Sequence, residues 1–294
     1  MSIIRDGNVL RAESGKRLRV VLLTSDDPQH RYLRRLLGHR AELVATVVEP
    51  GSAQQRRLWA RRRYRDAVYR AYQGYRQRFS GRARHRRSYF GTLENELPES
   101  SSPTHLVSAM NAPSTRELVR TLAPDLTVVC GTGVLGRKLI EAVPGLIVNL
   151  HCGVLPSYRG NHCIHFAYLR QDWDAIGATL HVLTPELDAG PILAVVRPDL
   201  YPHDNDEHLY ARVAHLAALR LTELIGELEQ GKSFGTVPQG AAGAMFRHRD
   251  RGPVGELRLW FRRKTGRHTV PVRVTTPVDV AEVGIGDVRT TGLG

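Results

Sequence analysis

A chain of 294 residues with 41% hydrophobic side chains can bury a real core, and has room for one ordinary domain plus an appendage. No uncharged apolar run approaches the ~18 residues of a membrane span. The first twenty residues scatter Arg5, Arg11, Lys16, Arg17 and Arg19 around no apolar stretch, so neither a transmembrane helix nor a signal peptide is expected.

Residues 1–16 read as a polar, poorly ordered start. Leu18 to Leu23 is a short β-branched strand that meets Thr24-Ser25-Asp26-Asp27-Pro28, a helix N-terminus with Pro in its first turn. Tyr32, Leu33, Leu36 and Leu37 continue at helical spacing, and Glu42 to Val48 is a second strand. This strand–helix–strand opening predicts a mostly parallel, doubly wound α/β sheet.

A basic segment follows. Thirteen Arg and one acid, Asp66, lie between Arg56 and Arg87, so this segment holds nearly all of the net charge of +13. Tyr64, Val68, Tyr72, Tyr75 and Phe79 form one helical stripe within it, expected to pack on the domain with Arg on the other faces. Residues 80–103 read as a loop. Strand and helix then alternate again: strand near His105, helix from Ser114, strand Asp125 to Cys130, a Gly131-Thr132-Gly133 turn and a short helix. Beyond it come a strand Gly145 to Leu150, a helix near Cys163 to Arg170, strands at Gly177 to Leu183 and Ile192 to Arg197, and a long helix capped by Asp204 or Asn205 and running to about Glu229. After Gly231 the periodicity fades. Residues 233–294, with one amphipathic patch at Leu257 to Arg263, are expected to be an appendage, partly disordered.

The chemistry concentrates in Val148 to Gly160, VNLHCGVLPSYRG. Alternation along a strand points Asn149 and His151 the same way from its C-terminal end, where open α/β sheets bind ligands. A carboxamide and an imidazole aimed at one point can stabilise an oxyanion and exchange a proton. Alone, such a pair reads more readily as a strand end with a satisfied histidine. Three cysteines, Cys130, Cys152 and Cys163, suit reduced thiols better than a disulfide framework. His151, Cys152, His162, Cys163 and His165 match no common zinc spacing, and no metal is expected.

Leu155-Pro156, Tyr158 and Gly160 follow at once, and Glu186-Leu187-Asp188-Ala189-Gly190 lies beyond. Together these motifs resemble the folate-dependent formyltransferase family, whose members include phosphoribosylglycinamide, methionyl-tRNA and sugar N-formyltransferases. Gly153 stands where the family usually has Ser, and Val154 where it has Leu. The resemblance covers roughly residues 104–230 and implies a Rossmann-like formyltransferase domain over residues 17–232, within which residues 56–103 read as an Arg-rich helical insertion and loop. It also implies 10-formyltetrahydrofolate as donor and a small-molecule amine as acceptor, such as an amino sugar or a secondary-metabolite amine or hydroxylamine.

Under that resemblance Asn149, His151 and Asp188 are the catalytic residues. The donor lies between two loops, Gly131, Thr132, Gly133, Val134 and Leu135 on one side and Leu183, Thr184, Pro185, Glu186 and Leu187 on the other. Thr24, Ser25, Asp26, Asp27, Tyr158 and Arg159 would meet the acceptor. His181 sits where the glycinamide enzymes carry a His, yet Asp26 and Asp27 replace their phosphate-binding glycine loop and would repel phosphate. The basic segment would suit an anionic acceptor. Nucleic acid is not the expected partner, self-association stays open, and the expected compartment is the cytoplasm. The competing readings are a formyltetrahydrofolate hydrolase, and an RNA- or membrane-binding protein with a decayed formyltransferase site.

Overall fold

The computed structural model describes residues 3–79 and 81–274. A hairpin of β1 (Ile3–Asp6) and β2 (Val9–Ala12) opens the chain, then β3 (Arg19–Thr24), α1 (Pro28–Arg40) and β4 (Glu42–Val48). Three helices follow, α2 (Gly51–Ala60), α3 (Tyr64–Phe79) and α4 (Arg82–Asn95), before β5 (Thr104–Leu106), α5 (Pro113–Leu122), β6 (Leu126–Cys130) and α6 (Arg137–Ile140). Next come β7 (Leu146–His151), β8 (Tyr158–Gly160), α7 (Cys163–Arg170), β9 (Ala178–Val182), β10 (Ile192–Val196) and α8 (Asp206–Glu229). The described chain ends with β11 (Phe234–Gly235), β12 (Ala244–Phe246) and α9 (Pro253–Lys264).

The central sheet runs β10-β9-β7-β6-β3-β4-β5. The strands from β7 to β5 are parallel, whereas β9 runs antiparallel to both β7 and β10. Alternation divides the buried strands between two cores. Val20 and Leu22 face the larger one with Leu33, Leu37, Leu221 and Ile225 from α1 and α8. Val21 and Leu23 face the smaller one with Val119 and Leu139 from α5 and α6. Burial on both faces explains why these strands read as continuous apolar runs. Asn205 caps α8, its side chain accepting from the backbone of Glu207 and His208.

The N-terminal residues are ordered into the fold, against expectation. Leu10 is buried and β2 pairs with β11, an association between distant segments that local composition does not reveal. Residues 82–95, read as loop, form α4. Its sequence lacks an apolar period because it packs through polar and aromatic groups. Phe90 is buried against Tyr32, Tyr89 meets His215, and Arg86 pairs with Glu207 of α8 beneath the Tyr210 ring.

Of the stripe expected to pack α3 on the domain, Tyr64, Val68, Tyr75 and Phe79 face out instead, and Tyr72 is half-buried. The inward residues are Ala67, Gln73 and Arg76. Arg76 pairs with Glu256 of α9 at 3.2 Å, and Gln73 donates to the carbonyl of Arg251. Arg251 in turn holds Asp206 at 2.6 Å and Glu256 at 2.8 Å, while His165 on α7 meets Asp206 at 2.8 Å. A buried network of guanidinium, carboxylate and imidazole thus joins the insertion, α7, α8 and the C-terminal segment. It satisfied none of the apolar periods used to place α3, because paired charge can replace hydrophobic contact where every partner is supplied.

The described part of the C-terminal segment is held just as firmly. β12 pairs in parallel with β8, and Phe246 stacks on Phe166 with ring centres 4.1 Å apart. Beside it His248 meets His162 at 3.1 Å. Burial pushes His162 well below the ordinary imidazole range, helped by Arg251 and His248, and it pushes His248 down to about 4.

Two expectations follow. Asp206→Asn takes the buried anion from His165 and leaves Arg251 with Glu256 alone, and should cost roughly 3–5 kcal/mol in denaturant unfolding. The depressed histidines are neutral in the fold but take protons near 6.5 once unfolded, so the unfolded chain binds more protons below about 6.5. Stability should therefore be flat above that pH and fall as pH drops from about 6.5 towards 4. His248→Asn should show a shallower fall of Tm with pH across that window than the wild type does.

Candidate active site

The parallel strands β3, β6 and β7 end on one edge of the sheet, and the site is built there. Asn149 and His151 leave the end of β7 on the same side, as a period of two requires. Antiparallel pairing sets Asn149 opposite His181 and His151 opposite Thr179. Asn149 Nδ2 donates to His181 Nε2 at 3.0 Å, and His181 Nδ1 donates to the Val182 carbonyl at 3.0 Å. These two bonds fix the neutral tautomer of His181. Burial, and next to it the neighbouring His151, lowers its pKa to about 4, so it stays an acceptor for the carboxamide. The sequence had marked His181 only by resemblance, and its hold on Asn149 comes from strand register.

Asp188 arrives from the loop between β9 and β10 and is buried. Its backbone is left-handed, with φ at 50°. Two residues on, a side chain at Gly190 would run into the Val182 carbonyl, so the loop can turn this tightly only with glycine there. Asp188 Oδ2 accepts from the backbone of Gly160 at 2.8 Å. The same oxygen faces His151 Nδ1 at 3.9 Å, and Oδ1 faces His181 Nε2 at 3.9 Å. Both gaps exceed a direct hydrogen bond. The end of β7 and the segment from β9 to the loop after it thus meet around one small volume.

His151 is fixed at its other nitrogen. Nε2 donates to the Tyr158 carbonyl at 3.0 Å and lies 3.6 Å from Cys163 Sγ. A Cβ at residue 153 would stand 2.6 Å from that nitrogen, which gives a physical reason for Gly153 where a serine is usual. Burial holds the Cys163 thiol far above its ordinary range, so it is a neutral neighbour and no nucleophile at pH 7. Among the described residues, no group of three or more His, Cys, Asp or Glu is arranged to hold a metal.

The two loops assigned to the donor flank this point. Leu183 joins the smaller core and donates its N–H to Ile147. Thr184 is half-buried, while Pro185 and Glu186 are exposed. Across from them Gly131, Gly133 and Val134 are exposed, Thr132 is half-buried, and Leu135 anchors its loop in the smaller core. Arg137 and Glu186 approach to 4.0 Å between the two loops. The arrangement leaves exposed backbone on one side and anchored leucines beneath, a surface suited to a flat heterocycle.

Of the six residues assigned to the acceptor, three turn inward. Thr24 donates to the Cys130 carbonyl, Ser25 bonds His30 at 2.8 Å, and the Tyr158 phenol donates to Asp172 while its ring stacks on Phe246. Arg159 donates to the Leu187 carbonyl and braces the loop before Asp188. Asp26 and Asp27 are exposed, Asp26 Oδ1 accepting from the backbone of Gly51 at 2.8 Å. They do not stand alone. The insertion brings Arg57 onto buried Glu49 and places Arg70 beside Gly51. Burial lowers the pKa of Arg70, opposed by Asp27, Glu49 and Asp26 in turn. With Arg57 paired to Glu49, the carboxylates expected to repel phosphate face one further guanidinium group, that of Arg70. Arg57 and Arg70 both lie in the Arg-rich segment, but nothing in their spacing marks them off from the other eleven.

Known proteins agree with this architecture. The chain is 31% identical to methionyl-tRNA formyltransferase of Xylella fastidiosa over 64% of its own length and 60% of that protein. It is 37% identical to the Mycolicibacterium gilvum enzyme of that name over 42% of the chain and 39% of that protein. It thus spans less than two thirds of the length of these relatives. Among solved structures, phosphoribosylglycinamide formyltransferase from Anaplasma phagocytophilum superposes with a TM-score of 0.51 at 19% identity, over 79% of this chain and all of that one. A sugar N-formyltransferase from Shewanella superposes at 0.50 and 14% identity, over 78% and 76%. The sequence profile described as formyl transferase matches residues 20–225, and the chain belongs to that family.

Proposed function

We propose that the protein is an N-formyltransferase that moves a formyl group from 10-formyltetrahydrofolate to the amine of a small molecule bearing an anionic group. The amine of an amino sugar, or a secondary-metabolite amine or hydroxylamine, fits that description. The observation that carries the reading is the meeting of Asn149, His151 and Asp188 at the end of β7, with His181 holding the carboxamide.

The donor supplies an sp² formyl carbon, which a neutral amine must attack. One amide hydrogen of Asn149 goes to His181, and the second is available for the oxygen that gains charge as the amine adds. His151, with its proton fixed on Nε2, presents Nδ1 as a base on the side of Asp188. Asp188, oriented by the Gly160 N–H, can take the proton that the amine loses, directly or through one water. Collapse then needs a proton on the departing nitrogen of the folate, and the same His151–Asp188 pair stands where it can return one. Arg70 serves the acceptor's anionic group. A transfer-RNA acceptor is the second reading, favoured by the sequence identity with methionyl-tRNA formyltransferases.

Formyl transfer measured with and without a panel of amines tests the proposal, with an aminoacylated transfer RNA in the same panel. Folate release that is equal with and without every acceptor would make the protein a hydrolase instead. Asn149→Ala, His151→Ala and Asp188→Asn should each lower kcat by roughly 10²–10³-fold at saturating donor, the usual loss for one oxyanion donor. Normal turnover in any of the three would remove that residue from the mechanism. Arg70→Gln should raise the KM of an anionic acceptor roughly tenfold, as loss of one charged hydrogen bond does, with kcat and donor affinity unchanged.

A further inference from the structure

The helix α3 is turned inside out. Its charged and polar residues Gln73 and Arg76 are buried, while the apolar stripe points to solvent, with Tyr75 62% and Phe79 69% exposed and Tyr64 and Val68 beside them. The helix α9 repeats the pattern. Leu259 is its single buried residue, whereas Val254, Leu257, Trp260 and Phe261 are exposed, Leu257 by 65% and Trp260 by 57%. The spacing of Val254, Leu257 and Phe261 puts them on one stripe. The two helices are joined through Arg76, Glu256 and the Arg251 backbone, so the outward faces belong to adjoining elements.

The charges on these helices have one sign where they meet solvent. Arg65 and Arg78 on α3, Arg61 and Arg62 just before it, and Arg258, Arg263 and Lys264 on α9 are all exposed. The acids of the two helices are Asp66 and Glu256, and each is ion-paired, Asp66 with Arg63 and Glu256 with Arg76 and Arg251. Exposed aliphatic and aromatic side chains flanked by guanidinium groups are the composition of a helix that lies in the plane of a membrane interface. There the apolar face sinks to the acyl boundary, Trp and Tyr sit at headgroup depth, and long basic side chains reach the phosphates. No helix among the described residues is long and apolar enough to cross a membrane.

We propose that the outward faces of α3 and α9 together dock the protein on an anionic lipid bilayer. Charge complementarity selects an anionic partner and argues against a second copy, since two such faces would repel. The aliphatic residues then decide between anionic partners. Val68, Val254 and Leu257 gain nothing against a nucleic acid, whose single-strand binders use aromatic stacking, but gain burial in a bilayer. The surface is separate from Asn149, His151 and Asp188, so it serves placement of the protein and leaves the chemistry to the sheet edge.

The test is flotation of the full chain with vesicles of phosphatidylcholine, with and without phosphatidylglycerol, at low and high salt. Binding is expected only with phosphatidylglycerol present, to weaken as salt rises, and to shift tryptophan emission to the blue. Tyr75→Glu, Phe79→Glu, Leu257→Glu and Trp260→Glu combined should lower the partition coefficient by at least about tenfold, because each loses insertion and gains repulsion. Since all four side chains are exposed, the variant should keep the wild-type Tm. Arg61, Arg62, Arg65 and Arg78 changed to Gln should lower the partition coefficient at low salt only. No binding to phosphatidylglycerol vesicles would overturn the proposal, as would binding that survives the four Glu substitutions. It would equally fall if the wild type forms a dimer that those substitutions dissolve, or if a transfer-RNA mixture strips the protein from the vesicles and loses its own binding in the same variant.

Discussion

The pairing of β7 with β9 sets everything at the site. Because the two strands run antiparallel with Asn149 opposite His181, the carboxamide finds an acceptor at 3.0 Å and His151 lies against Thr179. Thr179 in turn donates to the Gly153 carbonyl and accepts from the Leu155 backbone, which holds the loop leaving β7. A slip of one residue would send Asn149 and His151 to the other face of the sheet. It would also detach the loop that brings Asp188, since that loop begins where β9 ends. The register is protected by burial on both sides, with Val148 and Val182, and Leu150 and Leu180, paired in the core.

The insertion shows how a strongly basic segment can be built into a fold at acceptable cost. Arg57, Arg76 and Arg86 each reach an acid outside the segment, Glu49, Glu256 and Glu207. Those three pairs tie α2, α3 and α4 to the end of β4, to α9 and to α8. The guanidinium groups thus act as fasteners on the inner side, and the remaining arginines are left for the surface. This division also explains why the segment keeps its apolar stripe outward. The inner side is already filled by charged pairs, and the aromatic residues have no cavity to enter.

The C-terminal segment belongs to the same construction. Phe246 lies between β8 and α7, and Arg251 supplies the cation on which Asp206, Glu256 and His165 depend. Because β8 carries Gly160, whose N–H holds Asp188, this segment lies one contact from the candidate chemistry. The buried histidines along this seam are neutral by burial, which makes the seam dependent on pH in a way that no surface pair would be.

Much was legible in the sequence. Apolar runs bounded by turn residues located the strands β3, β4, β6 and β7, and the motifs around Asn149, His151 and Asp188 carried the family and its fold. Those features are local: a strand end, a tight turn and a glycine where only glycine fits. Three things were decided only by tertiary structure. Residues 3–12 gained order from β11, more than 200 positions away, and α4 was stabilised by partners on α1 and α8 instead of by its own period. The outward turn of the aromatic stripe on α3 was likewise invisible, because periodicity reveals that a helix has two faces but not which one meets the core. That choice fell to Arg76, Gln73 and their partners Glu256 and Arg251, residues whose pairing exists only once the chain has folded.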